Sequence, residues 1–295
     1  MGRPTSGWFQ SYPEGEIRVT ATEEAQHGAS DVPGGSWANR PSPELNFRDV
    51  HGGRDVGLVP VGAIEQHGPH LPTGTDTIVA TAVCERAGQM ANLAVLPAIG
   101  VGVSYGHGTE LPGTLSLTPQ LLAAVVQQYA AWAATSGLRR LLFVNAHFGN
   151  VAALHTATDH LRLFRPDLRV GTADWWSCDP AVTAEMTADG KDVHANRAET
   201  SMMLAIAPHL VHLDRIIEAD DEDRTPGLVF QYTASALSRN GVTGRPTEAT
   251  PELGERLWSR VAAVIADRAV RGRTEEPPLG EVGTPRLGHV GEDIR

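Results

Sequence analysis

The ten residues DVGLVPVGAI, Asp55 to Ile64, are apolar at nearly every position and carry glycines at Gly57 and Gly62. A strand with one face in water alternates apolar and polar side chains; a run without alternation is a strand buried on both faces, as inside a parallel sheet. That requirement restricts the chain to folds in which helices cover both sides of a sheet. The rest of the sequence supplies them in order. DTIVATAVCERAGQMA, from Asp76, has apolar residues at helical spacing with Asp76 or Thr77 placed to cap it, and LAVLPAIGVG follows as a short strand. TPQLLAAVVQQYAAWAATSG, from Thr118, has Pro119 in its first turn and Gly137 at its end, the punctuation of a helix. LRRLLFVNAHFGN reads as strand and turn, VAALHTATDHLRLF as helix, LRVGTADWW as strand and AETSMMLAIAPHLV as helix, with a last helix from about Pro251 to Arg271. Strands alternating with helices over short connections predict an α/β fold, a mostly parallel sheet with helices on both faces.

Residues 1–45, rich in Gly, Pro and Ser without an apolar period, read as an extended or partly disordered arm, residues 46–272 as the α/β domain and 273–295 as a disordered tail. The net charge of −11 at pH 7 argues against a nucleic-acid or anionic-membrane partner, either of which asks for a basic face, and favours a small-molecule substrate. No apolar run is long enough to span a bilayer and the N-terminus has no apolar signal core, so a soluble, cytoplasmic protein is expected. Cys84 and Cys178 are the only cysteines and read as buried, so any metal must rely on His, Asp and Glu.

Such donors cluster directly after the first strand, in EQHGPHLPTGTD. Glu65 and His67, two positions apart in an extended segment, point to one side. Asp76 returns at the start of a helix, His147 stands beyond the strand LLFV, and Glu199 opens the helix AETSMML. Taken singly, each has an ordinary structural reading as a turn residue or a cap. Together, gathered at successive strand ends, they are costly to desolvate unless something binds there, and a mixed oxygen and imidazole set suits Zn(II), Mn(II) or Fe(II).

Four stretches in sequence order, LVPVGAIEQHGPHLPTGTD, LPGTLSL, FVNAHFGN and DVHANRAETSMML, resemble the signature motifs of the creatininase (creatinine amidohydrolase) family. The resemblance implies a three-layer α/β/α hydrolase with a dinuclear metal centre, often a hexamer, attacking C–N bonds of amides. Glu65, His67, Asp76, His147 and Glu199 would be ligands of two divalent ions (Zn, Mn or Fe), with Asp76 as the bridge and a bridging hydroxide as nucleophile. His194, in VHAN, would carry the proton to the leaving nitrogen; its alternative role is to orient a ligand. His70, in the stiff turn GPHLP beyond the ligand pair, is assigned to structure or to supporting a ligand. The chain departs from creatininases proper at Gly149, where they carry Glu, and at Gly190, where they carry an aromatic residue, so creatinine is not the expected substrate. Glu110 falls where relatives often have His, in a segment shorter than theirs. Phe148, Trp175 and Trp176 are candidates for the substrate pocket. The implied activity is hydrolysis of an amide, lactam or formamide in a small molecule; the alternatives are a peptidase trimming a modified peptide, as in the mycofactocin-associated branch, or an inactive scaffold in a biosynthetic assembly.

Overall fold

The structure, a computed structural model, describes residues 35–280. Its sheet has five parallel strands, β1 (Gly35–Ser36), β2 (Val56–Val61), β3 (Ala94–Val95), β4 (Arg140–Asn145) and β5 (Arg169–Asp174), in the order β1-β3-β2-β4-β5. β2 is buried at every position, as its unbroken apolar run requires. Alternation along the strands sends Val56 and Leu58 to one face and Val59 and Val61 to the other. On the first face they meet α1 (Thr75–Ala91), α4 (Pro180–Met186), α5 (Arg197–Ile206) and α6 (Pro251–Gly272). On the second they meet α2 (Pro119–Thr135) and α3 (Val151–Phe164) together with Phe47 and Phe143. The result is the three-layer α/β/α sandwich. Each fully buried Leu, Val or Phe contributes about 1.5–3 kcal/mol to it.

Thr-Pro pairs start two of the long helices. Thr118 and Thr250 each accept a backbone N–H three residues on, at 3.1 Å, with Pro119 and Pro251 in the first turn. α1 begins differently from the expectation: its cap position is Gly74, without a side-chain cap, and Asp76 lies inside the first turn. The arm read over 1–45 is described from Gly35 on, where β1 pairs with β3 and Trp37 stacks on Phe47 at 5.5 Å; residues 1–34 lie outside the description. Of the tail read over 273–295, residues 281–295 also lie outside it, whereas Arg273 belongs to the fold, its guanidinium 3.0 Å from the buried Asp55. No helix among the described residues is long and apolar enough to cross a membrane.

The strand order dictates where a ligand can sit. From β2 the chain turns through α1 to β3 on one side, and from β4 through α3 to β5 on the other, with α1 and α3 on opposite faces. β2 and β4 are adjacent, so the crevice beyond their carboxyl ends is the topological switch point of the sheet, where open α/β folds bind ligands.

Candidate metal centre

The segment leaving β2 delivers Glu65 and His67 into that crevice, and the first turn of α1 delivers Asp76. Beyond β4, His147 is braced by two asparagines. Asn145 Oδ1 accepts the His147 N–H (3.1 Å) and an Asn150 amide N–H (3.2 Å), while Asn150 also donates to Gly62 O (3.0 Å) and accepts the Val103 N–H (2.9 Å). Glu199 sits in the first turn of α5, capped by Asn196, and its Oε2 accepts the Ala195 N–H at 2.6 Å. Ala195 takes a left-handed φ of 50°, a strained conformation for a residue with a side chain, at the junction between His194 and this cap. The main chain of His194 is tied to Thr243 by a pair of hydrogen bonds (3.2 and 2.8 Å).

Three imidazoles share one design. His67 Nδ1 faces Glu65 O (3.3 Å), leaving Nε2 3.3 Å from Asp76 Oδ1. His147 Nε2–H donates to Val103 O (2.8 Å), leaving Nδ1 3.4 Å from Asp76 Oδ2. His194 Nε2–H donates to Gln66 O (2.7 Å), leaving Nδ1 3.7 Å from Glu65 Oε1. A ring nitrogen held by a backbone carbonyl turns the other nitrogen inward, the arrangement in which imidazoles, once that nitrogen is deprotonated, bind metal ions. His147 Nε2 also lies 3.1 Å from Glu65 Oε2, but its N–H is spent on Val103. Glu65 Oε2, His67 Nε2 and Asp76 Oδ2 are accordingly buried without a hydrogen-bond partner among the described residues. Each such atom costs about 1–3 kcal/mol, so their coincidence fits an occupant that the chain does not itself provide. The ligand atoms of Glu65, His67 and Asp76 lie within 4.8 Å of one another, as do those of His67, His194 and Glu199. Oxygen and imidazole donors in this number fit a divalent first-row cation.

The electrostatics agree. Burial pushes Asp76 up, helped by the Glu65 charge, and raises Glu199 to about 7. Burial works against the Glu65 charge as well, yet His147 and a hydrogen bond from His107 hold that carboxyl well below its usual range. Burial would lower His67 and His147, but Asp76 raises the first to about 10 and Glu65 the second to about 9. His194 is driven well below its usual value by burial and by the neighbouring His67. In the metal-free chain, protons on His67 and His147 thus balance the carboxylates.

A cleft of about 380 Å³ opens over these groups, with Phe148, Tyr232 and Leu237 on its apolar wall and Lys191 on its polar one. Comparison with known proteins then decides the lineage. The model of the family described as Creatininase: Creatinine amidohydrolase matches residues 43–269. The chain belongs to the creatininase family. It is 33% identical over 254 residues to the creatinine amidohydrolase of Pseudomonas putida, covering 80% of this chain and 96% of that one. It is 34% identical over 241 residues to the mycofactocin precursor peptide peptidase of Mycolicibacterium smegmatis (strain ATCC 700084 / mc(2)155), covering 79% and 91%. A solved structure of a mutant creatininase of Zn-Zn type superposes with a TM-score of 0.70 at 30% identity, over 84% of this chain and 100% of that one.

Against this creatininase background, the structure places the sequence-predicted residues as follows. Glu65, His67, Asp76, His147, Glu199 and His194 come together. Asp76 does not cap α1, because its carboxylate is turned inward between His67 and His147. His70 lies outside the centre, bonded to Thr200 Oγ1 at 2.8 Å, where burial lowers it to about 4. Of the pocket candidates, Phe148 lines the cleft, but Trp175 does not: after β5 the chain tightens into a single helical turn that buries it in the core beside α4 and α5. Trp176 is one layer back, stacked on Phe148 at 4.1 Å. At Gly149, a Cβ would fall 1.9 Å from Val103 O and 2.5 Å from His147 Nε2. The close approach of Val103 to His147 therefore excludes any side chain there. Sequence reasoning missed His107, whose Nε2 is 3.1 Å from Glu65 Oε1. Its signal lay in SYGHGTELPGT, where attention went to Glu110, which in the structure is exposed and bonded to Ser235.

Proposed function

We propose that this creatininase-family chain is a metal-dependent amidohydrolase that cleaves a C–N bond in a small amide, lactam or formamide. The observation that carries the reading is the set of unpartnered buried donor atoms on Glu65 and Asp76, at the floor of a cleft with an apolar wall, and on His67 next to Asp76. Glu65 Oε2, Asp76, His147 Nδ1, His67 Nε2 and Glu199 would hold two divalent ions (Zn, Mn or Fe), with Asp76 between them because both of its oxygens face an imidazole. Bound there, the ions supply Lewis acidity toward the substrate carbonyl and acidify water.

The chain's own groups do the rest. His194 is neutral, its Nε2–H is anchored on Gln66 O, and its Nδ1 lone pair faces the carboxylates. It would take the proton of the attacking water at Nδ1 and return it to the leaving nitrogen. Burial of the floor residues, Glu65 at 1% and Asp76 at 3% exposure, keeps bulk water from competing and strengthens every interaction made there. Lys191, the only lysine of the chain, is among the described residues the one cationic side chain on the cleft wall apart from the imidazoles, and would meet an acidic substituent of the substrate. Self-association, hexameric by family resemblance, is part of the same reading.

A second reading, a peptidase acting on a modified peptide, is favoured by the 34% identical relative and by the exposed apolar stretch Leu228, Val229, Phe230 and Tyr232 running up to the cleft. Turnover of zinc- or manganese-loaded protein on matched panels of small N-acyl amides, lactams and short peptides separates the two. Hydrolysis confined to the small amides supports the first reading; hydrolysis that needs residues on both sides of the scissile bond transfers the assignment to the second.

A further inference from the structure

His107 is built the opposite way from its three neighbours. Its Nδ1 faces no carbonyl but lies 3.0 Å from the side-chain amide nitrogen of Gln66. The orientation of that amide is fixed by main-chain groups that cannot change roles. Gln66 Oε1 accepts the Gly68 N–H (3.0 Å) and Gln66 Nε2 donates to Gly241 O (3.0 Å). The second amide hydrogen therefore points at His107 Nδ1, and a donor must meet a lone pair. The ring proton is left on Nε2, which faces Glu65 Oε1 at 3.1 Å. A nitrogen carrying a proton toward a carboxylate is not a metal ligand, although its position among Glu65 and His194 would otherwise suit one. The packing enforces the arrangement. Gln66 and His107 are nearly buried, and Gly241 has a φ of +84°, with a Cβ there falling 1.9 Å from Gln66 Oε1.

We propose that Gln66 is a positioning residue that locks His107 as its Nε2–H tautomer. His107 then serves the centre as a hydrogen-bond donor to Glu65 Oε1 and leaves Oε2, the unpartnered oxygen, to ligate. The last step rests on the metal reading above; the tautomer is a property of the chain alone. The Gly241 carbonyl thereby joins the loop over residues 238–244 to the centre a second time, beside the Thr243 bonds to His194.

The test uses the full chain with 15N-labelled histidine, first metal-free and then with zinc, His107 being assigned by its absence from a His107→Gln spectrum. Two-bond nitrogen–proton correlations are expected to show His107 protonated on Nε2 and bare on Nδ1. In Gln66→Glu, which keeps the acceptor for Gly68 and puts a carboxylate where the donor was, His107 Nδ1 is expected to gain a proton, so that its nitrogen signal changes from bare to protonated. Zinc affinity by chelator competition falls about 10–100-fold in Gln66→Leu. His107→Gln, whose amide can present an N–H to Glu65, holds zinc more tightly than His107→Leu. A proton on Nδ1 in the wild type, an Nδ1 still bare in Gln66→Glu, or zinc displacing the Nε2 proton of His107 would overturn the proposal. A wild-type chain that takes up no zinc refutes the metal reading and the ligand half of the proposal, while the tautomer spectrum still decides the other half.

Discussion

Zinc binding by this chain should expel protons, and the structure says how many. His67 and His147, raised to about 10 and about 9 by the carboxylates they face, both carry a proton at neutral pH when no cation is present. Cations held by His67 Nε2 and by His147 Nδ1 must displace both, with a further fraction from Glu199, which burial raises to about 7. Release of roughly two to three protons per chain follows at pH 7, and apparent zinc affinity, taken over both ions, rises on the order of tenfold per proton for each pH unit, roughly a hundredfold or more from pH 7 to 8. The direction follows from the sign of the shifts. An imidazole raised above its ordinary 6.5 stabilises the metal-free fold at pH values below 6.5, and that contribution is lost as pH rises through about 9 and 10. Alkaline pH therefore weakens the metal-free chain, and the gain in melting temperature on adding zinc widens with pH. Titration calorimetry in buffers of different ionisation enthalpy counts the protons. Zinc binding with no proton release at pH 7, or with an affinity that is flat or falling between pH 7 and 8, would refute the charge balance assigned to the centre.

Other outcomes follow from the same geometry. His194→Asn should lower kcat about 10²–10⁴-fold with zinc content unchanged, since the proposed mechanism uses His194 to move a proton and not as a ligand; loss of zinc together with activity would make it a ligand. Arg273→Leu leaves the buried carboxylate of Asp55 without its cation and should cost about 3–5 kcal/mol in urea unfolding, although position 273 follows the last helix. Trp175→Ala should cost about 3–5 kcal/mol of stability, with zinc affinity and KM unchanged when folded protein is assayed. Phe148→Ala, at a 46% exposed residue on the cleft wall, should cost far less stability and raise KM; the reverse pattern would return Trp175 to the pocket.

Much of the fold was legible because its determinants are local. The unbroken apolar run of β2 needs two covered faces, and VAALHTATDHLRLF coincides with α3 from Val151 to Phe164 because its apolar positions keep one helical stripe. The residues at strand ends were legible for a related reason: carboxylates and imidazoles directly after buried strands have nowhere to go but the crevice. What escaped was set by tertiary neighbours. Nothing in SYGHGTE says that His107 turns inward; that follows from Asn150 pinning Val103 and from Gln66 reaching His107 across 41 positions. Asp76 looked like a cap because its inward partners, His67 and His147, come from other elements. Trp175 and Trp176 are adjacent in sequence, and only the turn after β5 sends one to the core and the other to the back of Phe148.

The central claim is a two-cation centre built on Glu65 and Asp76, and metal content tests it most directly. Elemental analysis of the wild-type chain, stripped with chelator and reloaded with zinc or manganese, should give near two equivalents per chain, and Glu65→Gln should fall clearly below that while staying folded. One equivalent in the wild type would contradict the bridging place of Asp76. None after reloading, in a chain whose melting is otherwise cooperative, would contradict the metal centre itself.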